Sequence, residues 1–268
     1  MSRLKSDKAP GGSRSARSSL ALSPDFTGTG EWIKAVLDCL EERWGNEANP
    51  PALGHDEPLD GLVLTVLSQN TNDRNRDVAF TRLKERFPTW ELAAEAAVAE
   101  IEDAVRPAGL GPSKAGYIAR ILERVREDFG GYSLAPLRGY GRDEARKYLL
   151  SLPGVGEKTA ACVLMFDLNM PAFPVDTHVS RVCRRIGFVP QKATPEAIGA
   201  LMEKETPPDR YLGAHINLIE HGRAVCSARR PLCEGCPVIR FCCTGAAAEP
   251  SGDTESGKET ERRKKGRI

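Results

Sequence analysis

The 268-residue chain has almost no net charge, no long apolar run and no strand-like alternation of apolar with polar residues, and each absence removes a class of protein. Its 38 Lys and Arg are matched by 37 Asp and Glu, leaving +1, so a uniformly basic nucleic-acid coat or an acidic tether is excluded and any basic surface must come from local segregation. No stretch approaches the roughly eighteen consecutive apolar residues of a membrane span. Apolar residues recur at helical spacing and are interrupted at Gly and Pro, which leaves no convincing strand and predicts an all-α fold with short turns between packed helices. No secretory leader is evident, and the chain is long enough to bury a core in one long or two small domains without disulfide staples.

Charge is nevertheless segregated along the chain. Arginines gather at Arg181, Arg184 and Arg185 and again at Arg223, Arg229 and Arg230, while acids gather at Glu95, Glu100, Glu102 and Asp103. Each cluster alone reads as a solvated helix face, yet together they allow one face to meet phosphates while the other stays acidic. The Ser-, Gly- and Arg-rich start, residues 1–24, lacks the large apolar side chains that offset the entropy of ordering and is expected to be a disordered basic tail. Residues 244–268 read the same way. Asp7 and Pro10-Gly11-Gly12 argue against an organellar transit peptide at the start. Between the tails one apolar stripe runs through Trp32, Val36, Cys39 and Leu40, and Leu62, Val66 and Leu67 open the next helix. Further helices are expected at Asp77–Arg86, Leu92–Val105, Lys114–Asp128, Arg142–Ser151, Glu157–Phe166, Thr177–Ile186, Pro195–Lys204 and Ala214–Gly222.

Cysteine, by contrast, is plentiful and unevenly placed. Cys226, Cys233, Cys236 and Cys242 stand as C-x6-C-x2-C-x5-C, four soft ligands within seventeen residues. Zinc sites usually combine two short C-x2–4-C pairs, and only one is present, whereas the uneven gaps suit a bulkier [4Fe–4S] cluster with one Cys per corner iron. The cluster is the favoured reading and zinc the alternative. Cys39, Cys162 and Cys183 fall on apolar helix faces and read as core, and Cys243 as a spare thiol beside the last ligand.

Chemistry concentrates elsewhere, around a tight turn. Leu152-Pro153-Gly154-Val155-Gly156 joins two expected helices, and its glycines allow a positive φ and a close approach of phosphate to backbone N–H groups. The next helix aims its free amides and positive dipole end at that phosphate, which is the physics of a helix-hairpin-helix anchor on DNA backbone. Lys158 sits in the first turn of that helix, where the positive dipole end disfavours an ammonium, and a neutral amine is a nucleophile. Eighteen residues on, in Val175-Asp176-Thr177-His178, Asp176 is placed to cap the following helix, and a carboxylate there can stabilise positive charge on a sugar whose glycosidic bond is breaking.

The ordered set Leu152-Pro153-Gly154-Val155-Gly156-x-Lys158-Thr159-Ala160, then Val175-Asp176-Thr177-His178, then His221-Gly222-Arg223 leading into the four cysteines, resembles the endonuclease III family. These are bifunctional DNA glycosylase/AP lyases of the helix-hairpin-helix–Gly/Pro/Asp superfamily, and the likeness runs from about Asp25 to Cys243. The resemblance implies a six-helix domain over 51–170, and an iron–sulfur domain built from 25–50 with 171–243. Double-stranded DNA containing damaged pyrimidines or abasic sites would lie between them, bound by a monomer without any membrane, in a prokaryotic nucleoid or a eukaryotic nucleus or mitochondrion.

By that likeness Lys158 attacks C1′ of the flipped nucleotide with help from Asp176, the four cysteines hold the cluster, and Arg229 and Arg230 meet phosphates. Gly154, Val155, Gly156 and His178 would contact DNA. Leu110 resembles the apolar wedge that fills the gap left by the extruded base. The family's second filler is Gln within Leu-Ser-x-Gln-x-x-Asp, but here Asn70 stands in that place and Gln69 one step earlier, and Glu157 replaces a commonly basic residue. Two other readings stay open: a non-catalytic helix-hairpin-helix protein with a structural metal, and a monofunctional mismatch glycosylase of the same superfamily.

Overall fold

The computed structural model describes residues 30–246. The expected tail over 1–24 and residues 247–268 of the tail expected over 244–268 lie outside these residues, as do residues 25–29.

Twelve α-helices make up the regular structure of the described residues, joined by short loops and 3-10 turns, with no strand among them. Helix α1 spans Gly30–Trp44, α2 Pro58–Leu67, α3 Asp73–Arg86, α4 Trp90–Glu95, α5 Val98–Val105 and α6 Gly111–Phe129. The second half comprises α7 Arg142–Ser151, α8 Glu157–Phe166, α9 Thr177–Ile186, α10 Pro195–Glu205, α11 Tyr211–Ala224 and the short α12 Cys243–Ala246. The all-α expectation is met.

Boundaries follow capping chemistry that apolar periodicity misses. The single helix expected over Leu92–Val105 is two, because Ala96 and Ala97 are extended and the Glu100 side chain turns back to accept from the Ala97 N–H at 3.1 Å, starting a new helix. Helix α3 begins four residues before the expected Asp77, where Asn72 caps it by accepting from the Asn75 N–H at 2.9 Å. Helix α6 starts at Gly111 rather than Lys114, since Pro112 fits the first turn. At the far end, residues 244–246, expected in the disordered tail, belong instead to α12, and Thr244 donates its hydroxyl to the Arg185 carbonyl at 2.9 Å.

Helix packing falls into two groups. In one, α2 rests on α3, α6 and α8, α5 on α3 and α6, and α7 on α8; in the other, α1 rests on α10 and α11, and α9 on α10, α11 and α12. A continuous apolar cluster joins them, with Leu37, Leu62, Leu67, Ile118, Leu149, Val163, Val182 and Leu218 all fully or almost fully buried. Helix α1 reaches the C-terminal third of the chain through polar stitches as well. Buried Asn217 of α11 accepts from Asn46 Nδ2 at 2.9 Å and donates to Glu41 Oε2 at 2.8 Å, and Arg210 meets Glu47 at 2.6 Å and Asp38 at 2.9 Å.

Candidate active site and nucleic-acid interface

Helices α7 and α8 enclose the glycine turn as expected. Gly154 has φ +75°, and a Cβ there would stand 2.6 Å from the Tyr117 ring of α6, so both backbone and packing demand glycine. Gly156 is extended, with no neighbour within 4 Å of a would-be Cβ, and carries no side chain to cap α8. The first amides of α8 are thereby left open toward solvent. Val155 is buried at 8% exposure and its N–H is bonded to the Leu152 carbonyl at 3.2 Å, so it serves the turn's packing. Gly154→Ala is expected to cost about 2–4 kcal/mol through left-handed strain and overpacking. Gly156→Ala should leave the denaturation midpoint unchanged while weakening DNA binding, and the contrast is read by urea titration beside a DNA-binding isotherm. Glu157, anomalous for its place, is paired with Arg146 of α7 at 2.6 Å, which offsets its repulsion of phosphate.

Behind the hairpin lies a cleft of about 1210 Å³. Lys158, Asp176 and His178 line it, as do Gln69 and Asn70, so the helix-borne lysine and the capping aspartate open onto one space. Lys158 is exposed and Asp176 half-buried. Asp176 caps α9 by accepting from the Val179 N–H at 2.8 Å, which fixes one carboxylate oxygen. Beneath them, His215 and Cys162 feel the charges of both Lys158 and Asp176. Burial pushes His215 down to about 4 and Cys162 up to about 11, so both are neutral near pH 7.

The two amides at 69 and 70 part company. Gln69 donates its Nε2 to the Gly154 carbonyl at 2.9 Å and is tied to the hairpin, whereas Asn70 is exposed with φ +53°. Leu110, 56% exposed with φ +51°, stands outside the set of cleft-lining residues, at the start of α6. A left-handed backbone under an exposed leucine is unusual, since neither strain nor exposure helps the fold.

The four cysteines gather in the last loop. Cys226, Cys233 and Cys242 each raise the Cys236 thiol electrostatically, to about 11 together with burial as the larger cause. The loop hangs on α9: Arg181 donates to the Cys226 carbonyl at 2.9 Å, and Arg185 to the Ser227 and Ala228 carbonyls, each at 2.7 Å. Arg185 also approaches Cys226 Sγ at 3.4 Å. Arg229 and Arg230 are exposed on the same loop, whereas Arg181 and Arg185 spend their donors inward. Of the cysteines expected in the core, Cys162 and Cys183 are buried, while Cys39 is only partly covered and accepts from Arg240 at 3.4 Å. Cys243 is half-buried, its sulfur against Gly187.

Arg223, read from the sequence as part of a basic cluster, and Lys114, read only as a helix start, complete the picture. Arg223 reaches Asp73 at 3.0 Å, with both lining the cleft, and buried Lys114 bonds the carbonyls of Leu67 and Ala108 at two helix ends. Lys114 was detectable, since it stands four residues before Ile118 on the buried face of α6.

A helix-hairpin-helix that opens its second helix onto a cleft shared by lysine and aspartate defines a class of DNA-processing protein. The family model described as HhH-GPD superfamily base excision DNA repair protein matches residues 63–208, and the chain belongs to that superfamily. Within it the chain is endonuclease III-like. It is 34% identical to the endonuclease III of Thermotoga maritima over 69% of this chain and 83% of that protein. It is also 35% identical to a putative DNA glycosylase of Arabidopsis thaliana, over 68% of this chain and 66% of that protein. The fold superposes on an endonuclease III trapped as a covalent intermediate with DNA at TM-score 0.71 and 30% identity, covering 82% of this chain and 98% of that one.

Proposed function

We propose that this base excision repair glycosylase is bifunctional, removing oxidised pyrimidines from double-stranded DNA and then cutting the strand as an AP lyase. The observation that carries the reading is the exposed amine of Lys158 at the mouth of a cleft shared with Asp176. The hairpin amides would hold a phosphate and Leu110 and Asn70 would fill the stack, so that a flipped nucleotide lies over Lys158. Its amine attacks C1′, the C1′–N bond breaks, and the base leaves with the electron pair and takes up a proton. Asp176 receives the proton lost by the attacking nitrogen. Ring opening gives a Schiff base, from which loss of a C2′ proton expels the 3′ phosphate. The protein would act as a monomer on chromosomal DNA.

Cys226, Cys233, Cys236 and Cys242 would hold a [4Fe–4S] cluster. Their mutual electrostatic influence fits one shared occupant. The uneven C-x6-C-x2-C-x5-C spacing suits a body with several irons better than one zinc. When bound, the cluster supplies an all-thiolate crosslink that fixes the loop presenting Arg229 and Arg230.

Incubation with abasic duplex and borohydride tests the lyase reading. A covalent protein–DNA adduct is expected, and tight binding without an adduct would favour the non-catalytic alternative.

A further inference from the structure

The geometry points to Lys114 as a positioning residue that sets the spacing between the Asn70 and Leu110 protrusions before DNA arrives. Lys114 is 1% exposed and is among the largest fully buried side chains. Its Nζ donates to the Leu67 carbonyl at 2.8 Å and to the Ala108 carbonyl at 2.8 Å. Leu67 is the last residue of α2, and Ala108 ends the 3-10 turn Arg106–Ala108. Both acceptors therefore sit at the negative ends of helical segments, which is where a buried ammonium finds compensation without a carboxylate.

The residues just past each acceptor give the bridge its purpose. Three residues beyond Leu67 comes Asn70 with φ +53°, and two beyond Ala108 comes Leu110 with φ +51°, both exposed. The backbone just before two of the three left-handed non-glycine residues described is thus held by one side chain. The string continues on the other side: Gln69 donates to the Gly154 carbonyl at 2.9 Å, and Gly154 packs on Tyr117, one turn beyond Lys114 on α6. One face of α6 hence relates the phosphate-gripping turn to both protrusions. If Asn70 and Leu110 both enter the stack, as proposed above, their separation must match it, and a misplacement of about 1 Å is enough to cost on the order of 10²-fold.

This inference rests on the DNA-extruding reading above, and its test separates the two. Lys114→Met keeps the apolar stem and removes the donors. Single-turnover base release from duplex carrying an oxidised pyrimidine is expected to fall about tenfold to 100-fold. Borohydride trapping on a preformed abasic site facing a one-nucleotide gap, which needs neither extrusion nor a filler for a partner base, should stay within about threefold of the parent protein, because Lys158 and Asp176 are untouched. Equal losses on both substrates would show a merely structural role, and no loss on either would show none; both overturn the proposal. Should the parent protein itself fail to trap on the abasic site, the lyase reading falls instead. A second measurement needs no change at Lys114: probes introduced as unnatural residues at 70 and 110 in the full chain should give one narrow distance distribution without DNA. A broad distribution would overturn the proposal even if Lys114→Met does not fold.

Discussion

Lys158→Gln should abolish the borohydride-trapped adduct and lower strand cleavage at abasic sites by on the order of 10³-fold or more, since the nucleophile is removed outright. The side chain is exposed in the first turn of α8, and surface substitutions of that kind usually change stability by no more than about 0.5 kcal/mol. Loss of activity with an unchanged melting temperature is therefore a loss of chemistry. The same variant separates the competing readings. A bifunctional enzyme loses base release along with cleavage, because attack by the amine is the step that displaces the base. A monofunctional glycosylase would keep releasing the base from a lesion duplex, and a pure binding protein would show no activity to lose. Asp176→Asn makes a matched companion. Asn caps helices about as well as Asp, so the bond to the Val179 N–H and the start of α9 survive while the negative charge is removed. Base release is then expected to fall by roughly 10²- to 10⁴-fold with little change in DNA affinity, measured by single-turnover kinetics beside a binding isotherm.

What could be read from the chain, and what could not, divides by the range of the interaction. Helical periodicity was sufficient for the all-α fold because each helix buries an apolar stripe visible in about ten residues, as at Val179, Val182, Cys183 and Ile186 of α9. The hairpin was equally legible, since glycine at 154 reports a backbone state directly. Helix starts were less so: the break at Ala96–Ala97 depends on a reciprocal bond from Glu100, and the early start of α3 on an Asn cap, both local but silent in the apolar pattern. The separation of Gln69 from Asn70 is a long-range fact. Nothing near position 69 announces that its amide will meet a carbonyl 85 residues away and leave the neighbouring asparagine as the free one. Arg181 and Arg185 belong to the same category. As sequence they resemble a surface cluster for phosphates, and in the fold they point inward to hold the Cys226–Ala228 backbone. A basic patch counted from sequence thus overstates the charge available to DNA.

The inward turn of those arginines makes the cysteine loop the second place where a single change should have a large effect. Freshly purified protein is expected to be yellow-brown, with absorption near ~400 nm and about four irons per chain. A colourless protein carrying one or two zinc ions would overturn the cluster assignment. Cys236→Ala, or oxidative loss of iron, should act well beyond the loop. Without metal Cys236 and Cys242 are held toward their protonated forms by burial, and the free energy that iron binding contributes, net of displacing their protons, is lost to the fold. The loop then retains its carbonyl bonds to Arg181 and Arg185, the Leu232 N–H to Val225 carbonyl bond and the Ser227 hydroxyl bond to the Arg230 carbonyl, none of which engages the Arg229 or Arg230 side chain. If both arginines meet phosphates, the dependence of log affinity on log salt should become shallower by about 2, since each lost contact removes close to one released counterion. Helix α9 carries Asp176 at its start and the loop-holding arginines one and two turns later, so loosening at the loop should reach the cleft as slower base release. Iron-free protein with an unchanged melting temperature and an unchanged salt slope would show that the loop folds by itself, and that the four cysteines are not what brings its arginines to DNA.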